Sequence, residues 1–100
     1  MYRVIPARIR FLLPSEGGRS TSAMSGIRPQ LKLEHVFTSC VVRSKEPMQV
    51  FELGQDYDVT LEIVFWDEYR HLFRNDLRIE LFEGSKLIAR GQFDQVSRDG

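Results

Sequence analysis

Along most of this chain, apolar residues fall at every second position. Ala7, Ile9 and Phe11 alternate with Arg8 and Arg10, and Leu31 and Leu33 alternate with Lys32 and Glu34. Val59, Leu61, Ile63 and Phe65 form a third series, Leu77, Ile79 and Leu81 a fourth, and Leu87, Ala89 and Phe93 a fifth. A period of two predicts half-buried β-strands, one face on a core and the other on water. Met48–Leu53 is a further strand candidate, and Val36–Val42 extends or follows the second strand. No segment carries a convincing period of 3.6. Residues 66–76, WDEYRHLFRND, come nearest, and the reading there is a loop with one helical turn.

Turn residues separate the strands. Gly54 with Asp56 ends one strand, and Glu83-Gly84-Ser85 reads as a tight hairpin turn. Pro6 suits a strand entry or edge, where a missing N–H costs least. Six or so short antiparallel strands must protect their edges, and closure into a barrel does this best. The expected fold is all-β, a small closed barrel. Residues 15–30, SEGGRSTSAMSGIRPQ, interrupt the pattern with a polar, glycine-rich loop between Pro14 and Pro29.

Composition agrees with one globular domain over residues 1–100, with 42% hydrophobic and 28% charged residues. No apolar run approaches the roughly 18 residues of a membrane span, and Phe11–Leu13 is too short for a signal-peptide core. A lone Cys40 excludes an internal disulfide and points to a reducing, cytoplasmic compartment. Net charge is zero but unevenly spread. Residues 1–45 hold eight Lys/Arg against two acids, and residues 46–100 hold six against twelve. Two readings follow: a basic face for phosphates, or strands from both halves interleaving so that charges pair across neighbours.

The residues of catalysis are not arranged for it. His35, expected on a strand surface, and His71, expected in a loop, lack Cys or carboxylate at ligand spacing, so no metal is expected. Cys40 reads as a buried strand cysteine. The EGGRST segment lacks the lysine and glycine spacing of a phosphate loop and no helical pattern follows it, so no nucleotide or other cofactor is expected. Trp66, Tyr69 and Phe73 either close one barrel end or anchor an interface. Arg19 and Arg28 either face a partner or pair with Glu16 and loop carbonyls, the glycines then serving only the turns. The chain is expected to be a binder and not an enzyme.

Glu16-Gly17-Gly18-Arg19, Thr21, Gly26 and Arg28-Pro29-Gln30 resemble the signature of the C-terminal β-barrel domain of elongation factor Tu. LGQDYDVTLEIVF (53–65) and LRIELFEGSKLIARGQFDQV (77–96) resemble later strands of that domain, so the family-like region covers residues 7–96. The resemblance implies a six-stranded antiparallel Greek-key barrel. It also implies a stand-alone relative, or an excised fragment, without the GTPase domain that binds and hydrolyses GTP. The family's barrel contacts the T-stem backbone of aminoacyl-tRNA and packs against protein neighbours. By position, the residues this implies for RNA or partner contact are Arg19, Ser20, Arg28, Gln30, Glu83 and Gly84. Ser20 stands where the family has a histidine, and Asp67 falls near a family lysine on the same surface, where a carboxylate repels phosphates. The expected function is therefore a protein-interaction module with a link to translation. The alternative is a weak tRNA-backbone binder, with neither membrane nor DNA as a partner.

Overall fold

The computed structural model describes residues 2–74 and 76–94. Residue 75 of the expected loop 66–76, and residues 95 and 96 at the end of the family-like region, lie outside the described residues. Six strands form a closed antiparallel barrel: β1 (Arg3–Phe11), β3 (Gln30–Leu33), β4 (Val36–Arg43), β6 (Asp56–Ile63), β7 (Arg78–Glu83) and β8 (Lys86–Phe93). Their order around the barrel is β1-β6-β4-β3-β7-β8, closed by β8 on β1. Two short strands outside it, β2 (Ala23–Met24) and β5 (Val50–Phe51), pair as a separate ribbon.

The alternating residues do what their period requires. Ile5, Ala7, Ile9 and Phe11 of β1, Val59, Leu61 and Ile63 of β6, and Ile79 and Leu81 of β7 all point into one buried core. Each such Val, Leu, Ile or Phe side chain withdrawn from water stabilises the barrel by about 1.5–3 kcal/mol before conformational entropy is counted. Pro6 lies inside β1, and its carbonyl accepts the Asp94 N–H, so its nitrogen faces β8 just beyond the first ladder pair, Ala7↔Phe93, where a missing N–H costs least.

Both mouths of the barrel are covered. After β6 the chain forms α1 (Trp66–Tyr69) and a 3-10 turn (Arg70–Leu72), as the single expected helical turn, now extended. Trp66 and Phe73 are buried with ring centroids 4.9 Å apart, and the Arg3 guanidinium lies 5.0 Å from the Trp66 centroid. Two of the three aromatics thus close an end of the barrel and are not available to an interface. At the opposite mouth the β2–β5 ribbon brings Phe51 into a stack on Phe11, centroids 5.4 Å apart.

Several expectations change in detail. The strand expected over Met48–Leu53 shrinks to Val50–Phe51, since Met48 adopts a left-handed φ of 67° that extended backbone excludes. Val36–Val42 follows β3 as its hairpin partner, joined by the two-residue turn Glu34-His35. His35 is therefore a turn residue, not a strand residue. In β8 the inward phase slips at an irregularity between Leu81 and Phe82 of its partner. Ile88 is fully buried as a result, and Leu87, expected inside, is only half-buried.

Candidate functional site

The glycine-rich loop is built residue by residue. A 3-10 turn over Pro14–Glu16 lets the Glu16 carboxylate reach back, where Oε1 accepts the Leu13 N–H at 2.8 Å. Arg10 donates to the same carboxylate through both terminal nitrogens, at 3.0 and 3.3 Å. The Leu13 hydrogen bond first, and Arg10 second, hold this carboxyl below the usual range. Gly17 turns the chain at φ 88°, and Gly18 passes so close to Leu12 that a Cβ would stand 2.4 Å from its carbonyl oxygen. At its end the loop rejoins the barrel. Cys40 N–H donates to the Pro29 carbonyl and Val42 N–H to the Ile27 carbonyl, continuing the β3–β4 ladder backwards.

Between these anchors Arg19 is fixed. Its Nη1 donates to Glu83 Oε2 at 2.5 Å, while Nε and Nη2 donate to the carbonyls of Thr21 and Ser22 at 3.2 and 3.4 Å. Pairing with loop carbonyls was one sequence expectation; pairing with Glu16 was not realised, because Glu16 is taken by Arg10. Glu83 closes the β7–β8 hairpin opposite Lys86, across the turn Gly84-Ser85. Gly84 has φ 61° at the first turn position, as a type II′ turn requires.

Four of the six sequence-predicted residues therefore meet at one rim. Arg19, Ser20, Thr21, Glu83 and Lys86 line a shallow depression of about 200 Å³, with Gly84 in the adjoining turn. Gln30 is exposed on β3, opposite Phe82, the residue before Glu83. Arg28 lies farther off, on the segment laddered to β4, exposed and without a hydrogen bond or ion pair among the described residues. Asp67 sits on α1, at the opposite mouth of the barrel from Glu83.

Sequence reasoning overlooked the aromatic pair on the adjoining outer wall. Phe37 is 45% exposed and meets Phe82 edge-to-face, centroids 5.3 Å apart. The available signal was an apolar residue in the outward phase, between the inward positions of β4. Charge, by contrast, pairs across sequence halves: Arg8 with Asp58, Arg19 with Glu83, Arg43 with Glu62 and Arg74 with Glu34. The interleaving reading accounts for much of the sequence asymmetry.

Cys40 is fully buried, its Sγ 3.7 Å from the Pro29 carbonyl, and burial pushes its thiol up to about 12. Among the described residues, no group of three or more His, Cys, Asp and Glu could hold a metal ion, and no helix is long and apolar enough to cross a membrane. Neither family models nor curated proteins give a match to this chain.

Proposed function

We propose that this chain is a non-catalytic binding module, related to the C-terminal barrel of elongation factor Tu, that docks a protein partner through the Arg19–Glu83 rim and the Phe37–Phe82 wall beside it. The observation that carries the reading is the ion pair from Arg19 to Glu83, which joins the loop bearing the family-like signature to the last hairpin. Topology supports the kinship. β3, β4 and β6 are successive antiparallel neighbours and β1 returns beside β6, the strand arrangement of a Greek key. Burying the exposed Phe37, packed on half-buried Phe82, next to a pre-ordered arginine is the chemistry of a protein hot spot. Because Glu83 neutralises Arg19, the rim is poorly suited to clamp phosphate.

The tRNA reading keeps one supporting observation. Arg28 is exposed and unpaired among the described residues, and Lys32 and Lys86 are exposed too. A titration with bulk tRNA at about 50 and about 150 mM salt separates the two, because phosphate binding weakens steeply over that range through counterion release. The protein-docking reading predicts negligible tRNA binding at either salt. Salt-steep binding that Arg28→Ala removes transfers the function to RNA.

A further inference from the structure

The outer wall of β1, β8 and β7 carries charges that the fold does not use. Strand register sets Arg10, Arg90 and Glu80 side by side in one row and Arg8, Gln92 and Arg78 in the next. Arg8 is engaged by Asp58, and Arg10 by Glu16. Among the described residues the side chains of Arg78, Arg90 and Glu80 make no hydrogen bond or close ion pair, although Arg90 adds a weak attraction to the Glu16 carboxylate. Arg10 and Arg90 are directly opposed across the strands, a like-charge arrangement that opposes folding. Between these side chains lies a groove of about 540 Å³, floored by the backbone of Ile79 and Gly91. That size falls within the range of small-molecule sites.

We propose that this groove binds a small phosphorylated, hydroxyl-bearing molecule. Its phosphomonoester dianion sits between the Arg78 and Arg90 guanidinium forks, while Arg10, neutralised by Glu16, only borders the groove. Two guanidinium groups whose donors no side chain takes up match the charge and oxygen geometry of a phosphate. Glu80 and Gln92 are the remaining polar lining, and a carboxylate beside a phosphate site fits a ligand that also offers a hydroxyl donor. The frame of the groove argues against a long polyanion. Asp56 and Asp58 stand beyond Arg8, and Glu16 stands on Arg10, so a nucleic-acid strand leaving the groove meets carboxylates. A compact anion does not. The site shares no residue with the rim, and either assignment can fail without the other.

Calorimetric titration of the full chain with ribose 5-phosphate, inorganic phosphate and ribose as separate probes tests it. The expected result is saturable binding of ribose 5-phosphate, weaker binding of phosphate, and none of ribose. Arg78→Gln and Arg90→Gln each lower the affinity for ribose 5-phosphate by about tenfold or more, the effect of losing a charge-assisted hydrogen bond. Lys45→Gln, exposed in the loop after β4, leaves binding as it was. No saturable binding of ribose 5-phosphate, equal binding of phosphate and the ester, or unchanged affinity in both arginine variants overturns the proposal.

Discussion

Arg19 Nη1 donates to Glu83 Oε2 at 2.5 Å, so one ion pair spans 64 residues of sequence and ties the glycine-rich loop to the last hairpin. The pair is partly exposed, with the arginine side chain 22% and the glutamate 41% accessible. Exposed pairs contribute little, and two backbone carbonyls also hold the guanidinium. A double-mutant cycle of Arg19→Ala and Glu83→Ala, read by chemical denaturation, is expected to give a coupling of about 0.5–1 kcal/mol that shrinks at high salt. A coupling near zero means that the loop is held by its carbonyl contacts alone.

The two adjacent loop glycines serve different purposes, and alanine distinguishes them. Gly17 needs its left-handed φ of 88° but has open space around its Cα. Gly17→Ala is expected to cost about 1 kcal/mol. At Gly18 the new methyl collides with the Leu12 carbonyl, which is backbone and cannot swing aside. Gly18→Ala is expected to cost about 2 kcal/mol or more and to displace the loop. Thermal denaturation of the two variants reads the order directly; equal losses refute the close approach.

Glu34 occupies a φ of 53° in the two-residue turn between β3 and β4, a conformation that suits glycine. Its carboxylate lies 3.6 Å from the Arg74 guanidinium, but both are well exposed, so that pair offsets little of the strain. Glu34→Gly is expected to stabilise the barrel by up to about 1 kcal/mol. A fall in melting temperature shows instead that the Arg74 contact outweighs the backbone.

Cys40 makes the stability depend on alkali. Below its ordinary value of 9.0 the thiol is protonated both folded and unfolded, and it contributes no slope. Above 9.0 the unfolded chain releases the proton while the folded chain keeps it to about 12, so stability falls as pH rises through that window. Cys40→Ala is expected to lower stability at neutral pH through the lost packing, yet to show a shallower decline between pH 9 and 11 when denaturation is followed across that range. In native protein the thiol should resist a thiol-specific reagent until the chain unfolds.

How much of this could be read from the chain follows from what alternation encodes. β1, β6 and β7 were legible because Ala7 to Phe11, Val59 to Ile63 and Ile79 to Leu81 alternate inward, although the Val59 series overran: Phe65, expected inside, is exposed beyond the end of β6. β8 was misphased at Leu87 because the irregularity lies in pairing with β7, which no single strand reveals. Of the β2–β5 ribbon, β5 was anticipated within Met48–Leu53, but β2 and its pairing were not: a strand of two residues has no period. The rim was partly legible, since the loop and the hairpin turn stand out by composition. That Arg19 would choose Glu83 over Glu16 was not, because the choice depends on Arg10 having taken Glu16 first. The arginines at 78 and 90 were visible as outward residues, but only register makes them neighbours of Arg10.

The docking claim is tested most directly by a photoreactive amino acid at Ser20, on the rim, compared with one at Asp58, on β6 across the barrel. After irradiation in native extract, Ser20 is predicted to yield a discrete protein adduct that survives ribonuclease, and Asp58 none. Equal adducts from both positions, or a Ser20 adduct that ribonuclease destroys, contradict the assignment of this rim to a protein partner.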